Sequence, residues 1–259
     1  MAFNPNELIL DKVRQLTAHD LETGKILLRL TQLEDPTIST SAEGEDVTDA
    51  VGALITTMYR AKQAEFSASN SLLSLDLAAA QYGTVKKAMT AEDVDYAYEI
   101  LPNNGGTVTL AHEPVDGSVG FVYVIKENNI EASYPVATAA EEGVATIDGN
   151  VITMPDGVTT GKVYVEYNFI NENAVKIVNS AENFPTAVSV VIHALFRDVC
   201  NENKVYAGKI ICHKAKLDPS SLELTLTSTG KHPFTFKMLK DYCSEDSELF
   251  TIIVSGQDE

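Results

Sequence analysis

Along most of the chain, apolar and polar residues alternate with a period of two. That spacing sends one face of a β-strand to a core and the other to solvent. Ile26, Leu28 and Leu30 alternate with Leu27, Arg29 and Thr31. Val94, Tyr96, Tyr98 and Ile100 alternate with Asp95, Ala97 and Glu99. Val188, Val190, Ile192, Ala194 and Phe196 form a longer run whose other face is also partly apolar, so a central strand covered on both sides is expected at 188–196. Further strands are expected at 205–217, 222–227, 233–238 and 250–254. Residues 1–19 carry a short alternation that suits a strand or an extended arm. Asp35-Pro36 is read as a break, followed by a short strand over 38–44 and an acidic loop, Glu43-Gly44-Glu45-Asp46. Strands are expected at 53–59 and 64–69, joined by a hairpin loop at Arg60-Ala61-Lys62-Gln63.

One stretch has a different period. In residues 69–83, Leu72, Leu75 and Ala79 fall on one helical stripe, with Leu73, Leu77 and Ala80 beside it. Ser69 or Asn70 is the expected N-cap and Gly83 the expected stop. The apolar face is wide. Two placements fit it: a helix clamped between its own sheet and a neighbouring subunit, or a plug at the open end of a barrel.

Pro102-Asn103-Asn104-Gly105-Gly106 is the clearest boundary. From there to 170, short strands follow at close intervals, separated by turns such as Asp116-Gly117, Asp148-Gly149 and Asp156-Gly157. The expected architecture is mainly β. A discontinuous domain (1–102 and 171–259) forms an antiparallel two-sheet sandwich or barrel with one flanking helix. A small β-rich insert, Ig-like or hairpin-built, occupies 103–170.

Charge narrows the function. The chain has 259 residues and a net charge of −18, from 37 acidic and 19 basic residues. About −7 of this falls in 103–170. Such a chain is repelled by phosphate backbones, which argues against tight nucleic-acid binding. The N-terminus lacks the pattern of a signal peptide, and no apolar run approaches the roughly 18–20 residues of a membrane span, so synthesis in a cytoplasm and no membrane partner are expected. Cys200, Cys212 and Cys243 form an odd set without CxxC spacing, which suits buried thiols and leaves one disulfide among them open.

The chain offers little for catalysis. His19, His112, His193, His213 and His232 show neither HxxxH nor HExxH spacing, and Cys212-His213 point to opposite faces if they lie on a strand. Thr-Gly-Lys occurs at 23–25, 160–162 and 229–231, never within a phosphate-binding GxxxxGK[ST] loop. The acidic stretches 43–49, 141–142 and 241–248 do not match an EF-hand. No GxSxG is present. The expectation is a non-enzyme without cofactor or metal.

Several segments resemble one family. They are DVTDAVG at 46–52, Tyr59-Arg60-Ala61-Lys62, AEFSASNSLLSLDLAAAQYG at 64–83, Phe184-Pro185, Phe196-Arg197-Asp198, HKAKLDP at 213–219, LELTLTSTGKHPFTFKML at 222–239 and LFTIIV at 249–254. Over roughly 20–100 and 170–255 they are similar to the tail tube (major tail) proteins of tailed bacteriophages. The resemblance implies a virion protein that self-assembles into stacked, hexameric rings enclosing an acidic channel for DNA passage and ejection. It implies homo-oligomeric contacts, and the tape-measure, tail terminator and baseplate proteins as partners. Subunit-interface candidates are Leu72, Leu73, Leu75, Leu77, Tyr59 and Phe66. Lumen-facing acidic candidates are Glu43, Glu45, Asp46, Asp49 and Glu65. The competing expectation is a non-enzymatic binding or capsid decoration protein with an Ig-like module, which exposed aromatic platforms would favour.

Overall fold

The computed structural model describes residues 7–127, 129–199, 204–219, 230–242 and 247–258. In chain order the strands are β1 (Leu8–Asp20), β2 (Ile26–Leu30), β3 (Leu33–Thr48) and β4 (Leu54–Asn70). The helix α1 (Leu75–Gln81) follows. Then come β5 (Lys87–Ala88), β6 (Val94–Pro102), β7 (Thr107–Thr109), β8 (Phe121–Lys126), β9 (Asn129–Ala137), β10 (Ala145–Asp148), β11 (Val151–Thr153), β12 (Lys162–Ile170) and β13 (Val175–Lys176). The last are β14 (Ala187–Asp198), β15 (Val205–Leu217), β16 (His232–Met238) and β17 (Thr251–Asp258). The protein is mainly β, as the alternation predicts, and α1 is the one helix among the described residues. Residues 222–227, expected as a strand, lie outside the described residues, as do Cys200 and Cys243.

The chain forms two compact units, Met1–Lys86 with Ile177–Glu259, and Lys87–Lys176. In the first, eight strands make one antiparallel, nearly closed barrel-like sheet in the order β2-β1-β14-β15-β16-β4-β3, with β17 also paired to β15. β16 takes the Ala215–Leu217 part of β15 and β17 the Tyr206–Ile211 part. Residues 8–20 are thus a strand, paired with β14 along its length. The core gathers Leu16, Leu28, Leu30, Phe66, Leu77, Val190, Ile192, Phe234 and Phe236, all nearly or fully buried. The second face of β14 is less covered than expected, since Ser189, Val191 and His193 are only half-buried.

Three local expectations change. Asp35-Pro36 does not end a strand. Asp35 takes a left-handed φ of 51°, the register shifts between Glu34 and Thr37, and β3 continues. β3 is an edge strand, where a proline removes no ladder bond. Likewise Arg60–Gln63 is no hairpin loop. Ala61 (φ 52°) forms a bulge within one continuous strand, β4. The acidic Glu43–Asp46 segment is therefore strand, paired to Arg60, Tyr59, Met58 and Thr57.

The helix starts later than predicted. Ser74 is its N-cap, and its hydroxyl accepts from Leu77 N–H at 3.2 Å. Ser69 and Asn70 instead end β4, paired with Pro233 and His232. Leu72 and Leu73 thus precede α1. Gly83 stops it at φ +67°, where a Cβ would lie 2.3 Å from the Phe184 carbonyl carbon. Gln81 ties the helix to β16: its amide nitrogen donates to Pro233 O at 2.9 Å, and its carbonyl lies 2.6 Å from His232 Nε2. With the amide so oriented, His232 must carry its proton on Nε2 and leave Nδ1 bare, and that buried atom has no partner.

The second unit holds a seven-stranded sheet, β6-β12-β8-β9-β10-β11-β7, antiparallel except for β9–β10, over a core of Val108, Leu110, Val122, Ile152, Val163, Val165 and Tyr167. It is wider than the 103–170 insert expected, because β6 pairs with β12 over nine positions and β5 pairs with β13.

Candidate functional site

The most distinctive surface of the first unit is the outer half of the β3–β4 hairpin. β4 is flanked by β16 only from Ala64 to Asn70. Beyond that, from 41 to 63, β3 and β4 pair only with each other among the described residues, and the nine residues from Ser41 to Asp49 make a ribbon about 25 Å long. Its tip is a built turn. Asp49 Oδ1 accepts from Val51 N–H at 2.9 Å and Ala53 N–H at 2.8 Å, and Gly52 supplies a φ of +85°. In this arm only Val47 and Thr57 are half-buried, and the rest is exposed. Val51, Leu54, Ile55, Met58 and Tyr59 are 56–88% exposed. The register shift at Val47/Thr48 makes Ile55 a bulge residue, so that Leu54 and Tyr59 lie on one face of the ribbon and Met58 on the other. An isolated two-stranded ribbon is marginal in water, so apolar residues on both its faces call for a covering partner.

The predicted interface residues divide. Leu72, Leu73 and Leu75 are exposed (62%, 60% and 41%), as is Tyr59 at 76%. Leu77 and Phe66 are buried in the core, at 0% and 2%, and have no surface to offer a neighbour. A period count on the sequence cannot distinguish an inward stripe from an outward one when the helix is capped at Ser74, four or five residues later than Asn70 or Ser69.

Four of the acidic candidates lie on the arm, and three of these have local structural work. Glu45 pairs with Arg60, Asp46 accepts from the Thr57 hydroxyl at 2.6 Å, and Asp49 holds the tip. Glu43 is exposed on the same strand. Glu65 is half-buried in the sheet, opposite Lys237. The barrel face away from the core carries a basic cleft. Arg14, Arg29, His193 and Lys209 line a cleft of about 420 Å³ there, and Arg29 Nε donates to Gln15 Oε1 at 3.0 Å. Burial, then the charges of Lys209 and Arg14, push the His193 imidazole below its ordinary pKa. The arm brings four carboxylates against two cations, Arg60 and Lys62, so arm and cleft have opposite character.

Among the described residues, no cluster of His, Cys, Asp and Glu is placed to hold a metal ion. Cys212 is a free, buried thiol whose pKa burial pushes up to about 11, the environment of an unreactive core cysteine. None of the helices described is long and apolar enough to cross a membrane.

No curated protein matches the chain. The model of one family, described as the YomU/Tube protein family, matches residues 8–252 and so takes in both units and the whole arm. The chain therefore belongs to the YomU/Tube protein family, and with it to the structural proteins of the phage tail tube.

Proposed function

We propose that this chain is the repeating subunit of the tail tube and assembles through the β3–β4 arm into stacked, hexameric rings around a channel for DNA. The observation that carries the proposal is the arm: a two-stranded ribbon with apolar side chains on both faces and no cover from the described residues of its own subunit. Among the described residues the barrel sheet ends in two edge strands, β2 and β3, each without a strand partner on one side. Assembly between subunits would satisfy such edges. Opposite charge on arm and basic cleft favours a contact in which one subunit's arm meets another's barrel face, a heterologous geometry that closes into rings. Leu72, Leu73 and Leu75 are the remaining interface candidates. Glu43 is the arm carboxylate proposed to face a lumen, where like charge keeps DNA from adhering. On this reading the protein is made in the host cytoplasm, acts without catalysis, and meets the tape-measure, terminator and baseplate proteins at the ends of the tube.

The test replaces 42–62 by Asn-Gly, a two-residue turn that joins the directly paired Ser41 and Gln63. Wild-type protein should give rings or tubes by negative-stain microscopy and large species by light scattering. The variant should be monomeric and melt at an unchanged temperature, since the removed segment packs on no core residue. A wild type that stays monomeric at every concentration overturns the proposal, as does a variant that still forms tubes.

A further inference from the structure

The second unit places an aromatic surface where the alternation of β6 does not call for one. Along β6 the apolar side chains face out. Val94, Tyr96, Tyr98 and Ile100 are 53–66% exposed, while Asp95, Ala97 and Glu99 point inward. The inward carboxylates are satisfied. Asp95 accepts from Asn171 Nδ2 at 2.7 Å, and Glu99 accepts from the Tyr167 hydroxyl and from Ala111 N–H at 3.0 Å. The inversion is thus a stable arrangement of the sheet, and the outward rings extend across it. Tyr98–Tyr164 and Tyr164–Tyr123 ring centroids are 6.1 Å apart, and Tyr123–Phe121 are 6.4 Å apart. Beside them a cleft of about 270 Å³ is lined by Tyr96, Phe121, Tyr123, Ser118, Gly120 and Glu166. Hydrogen bonds from the Tyr164 and Tyr96 hydroxyls hold the Glu166 carboxyl below the usual carboxylate range and fix its position.

The chemistry of this cleft selects its occupant. Four of the five rings carry a hydroxyl, so the surface offers flat apolar faces edged with donors and acceptors. Its charged group is a carboxylate, and among the described residues no cation pairs with it. Residues 87–176 hold fourteen acidic and four basic residues, a net −10. A polyanion is repelled, and a second copy of the unit would bring like charge to like charge. An uncharged polyol pays neither penalty, since its C–H faces stack on rings and its hydroxyls donate to the carboxylate. The volume lies below the roughly 300–1,000 Å³ of sites for drug-sized ligands, which suits a single ring of a chain that continues along the open surface. We propose that the Tyr96–Tyr123–Glu166 cleft binds a neutral glycan. This rests on the second unit alone and is independent of how the arm assembles.

The test is native electrophoresis of the full chain through gels cast with neutral polysaccharides (dextran, an α-mannan, a β-glucan) or with anionic polygalacturonate. At least one neutral polysaccharide should retard the wild type, and polygalacturonate should not. Tyr96→Ala and Glu166→Gln should each weaken the retardation about tenfold or more while leaving the melting temperature unchanged, and Tyr242→Ala, in the first unit, should leave it intact. The proposal is overturned if no neutral polysaccharide retards the protein. It also falls if polygalacturonate retards it, if Tyr96→Ala binds like wild type, or if light scattering shows that these variants instead abolish self-association.

Discussion

Leu77 and Leu73 sit four residues apart, and the structure gives them opposite roles. Leu77 is fully buried against Leu28, Phe66 and their neighbours, whereas Leu73 is 60% exposed ahead of the Ser74 cap. Leu77→Ala removes three carbons from a closed site, and such changes cost about 2–5 kcal/mol, the higher end where the cavity cannot collapse. Here α1 is pinned at both ends, by Ser74 at its start and by Gln81 and Gly83 at its end, so the helix cannot slide to fill the gap. A loss near the middle of that range is expected. For a unit of this size each kcal/mol lowers the melting temperature by about 2–4 °C, so Leu77→Ala should lower one unfolding transition by about 6–14 °C. Leu73→Asp changes only an exposed side chain, and its effect on folding should stay within about 0.5 kcal/mol. Differential scanning calorimetry of the two variants at a concentration where both are monomeric separates the outcomes, and microscopy then reports on assembly. Wild-type melting of Leu77→Ala refutes the burial argument. A Leu73→Asp variant that melts as low as Leu77→Ala refutes the assignment of Leu73 to the surface.

Three further outcomes are expected. Gly83→Ala should destabilise the first unit by more than about 2 kcal/mol in urea melts, because a left-handed alanine is strained and its Cβ meets the Phe184 backbone; a loss under 1 kcal/mol would mean the 83–184 contact gives way easily. Burial lowers the pKa of His232, so below about pH 6.5 the unfolded chain takes up a proton that the folded one refuses. Stability should therefore fall with falling pH, by up to about 1.4 kcal/mol per pH unit from this group, until the folded pKa is passed, and His232→Asn should flatten that slope in urea melts run from pH 7.5 to 5, with His193 retaining its own share. Cys212 should resist iodoacetamide in the native protein at pH 8 and react after urea unfolding, as followed by peptide mapping; equal rates in both states would show that the thiol is not sequestered.

Element type was legible wherever side chains alternate, since a period of two depends only on the pleat. What the alternation could not supply was which strand partners which, and so which face turns inward. Tyr96 and Tyr98 look like core residues in the sequence and face out because β6 lies against β12 with Asp95 and Glu99 turned in, where Asn171 and Tyr167 await them. Interruptions misled for a related reason. Asp35-Pro36 and Arg60–Gln63 carry turn chemistry, yet β3 and β4 absorb both as bulges, and the true hairpin turn at Asp49–Gly52 was hidden inside what looked like an acidic loop and the next strand's start. The arm as one continuous two-stranded ribbon was therefore invisible in the sequence. The helix was found, but not its phase, because two good caps, Ser69 and Ser74, lie five residues apart and only the pairing of β4 with β16 decides between them.

The small ladder of β5 with β13 has a consequence beyond folding. Ala88 faces Val175 and Lys87 faces Lys176, so the chain enters and leaves the second unit at adjacent points, about 5 Å apart across an antiparallel pair. A segment anchored in this way behaves as a cassette. Excising 87–176 leaves ends that a short glycine linker can rejoin, and another small domain whose termini lie side by side can be spliced in their place. The tail tube subunit thus carries a ready insertion point for display: whatever folds between Lys86 and Ile177 would be repeated once per subunit wherever the chain polymerises.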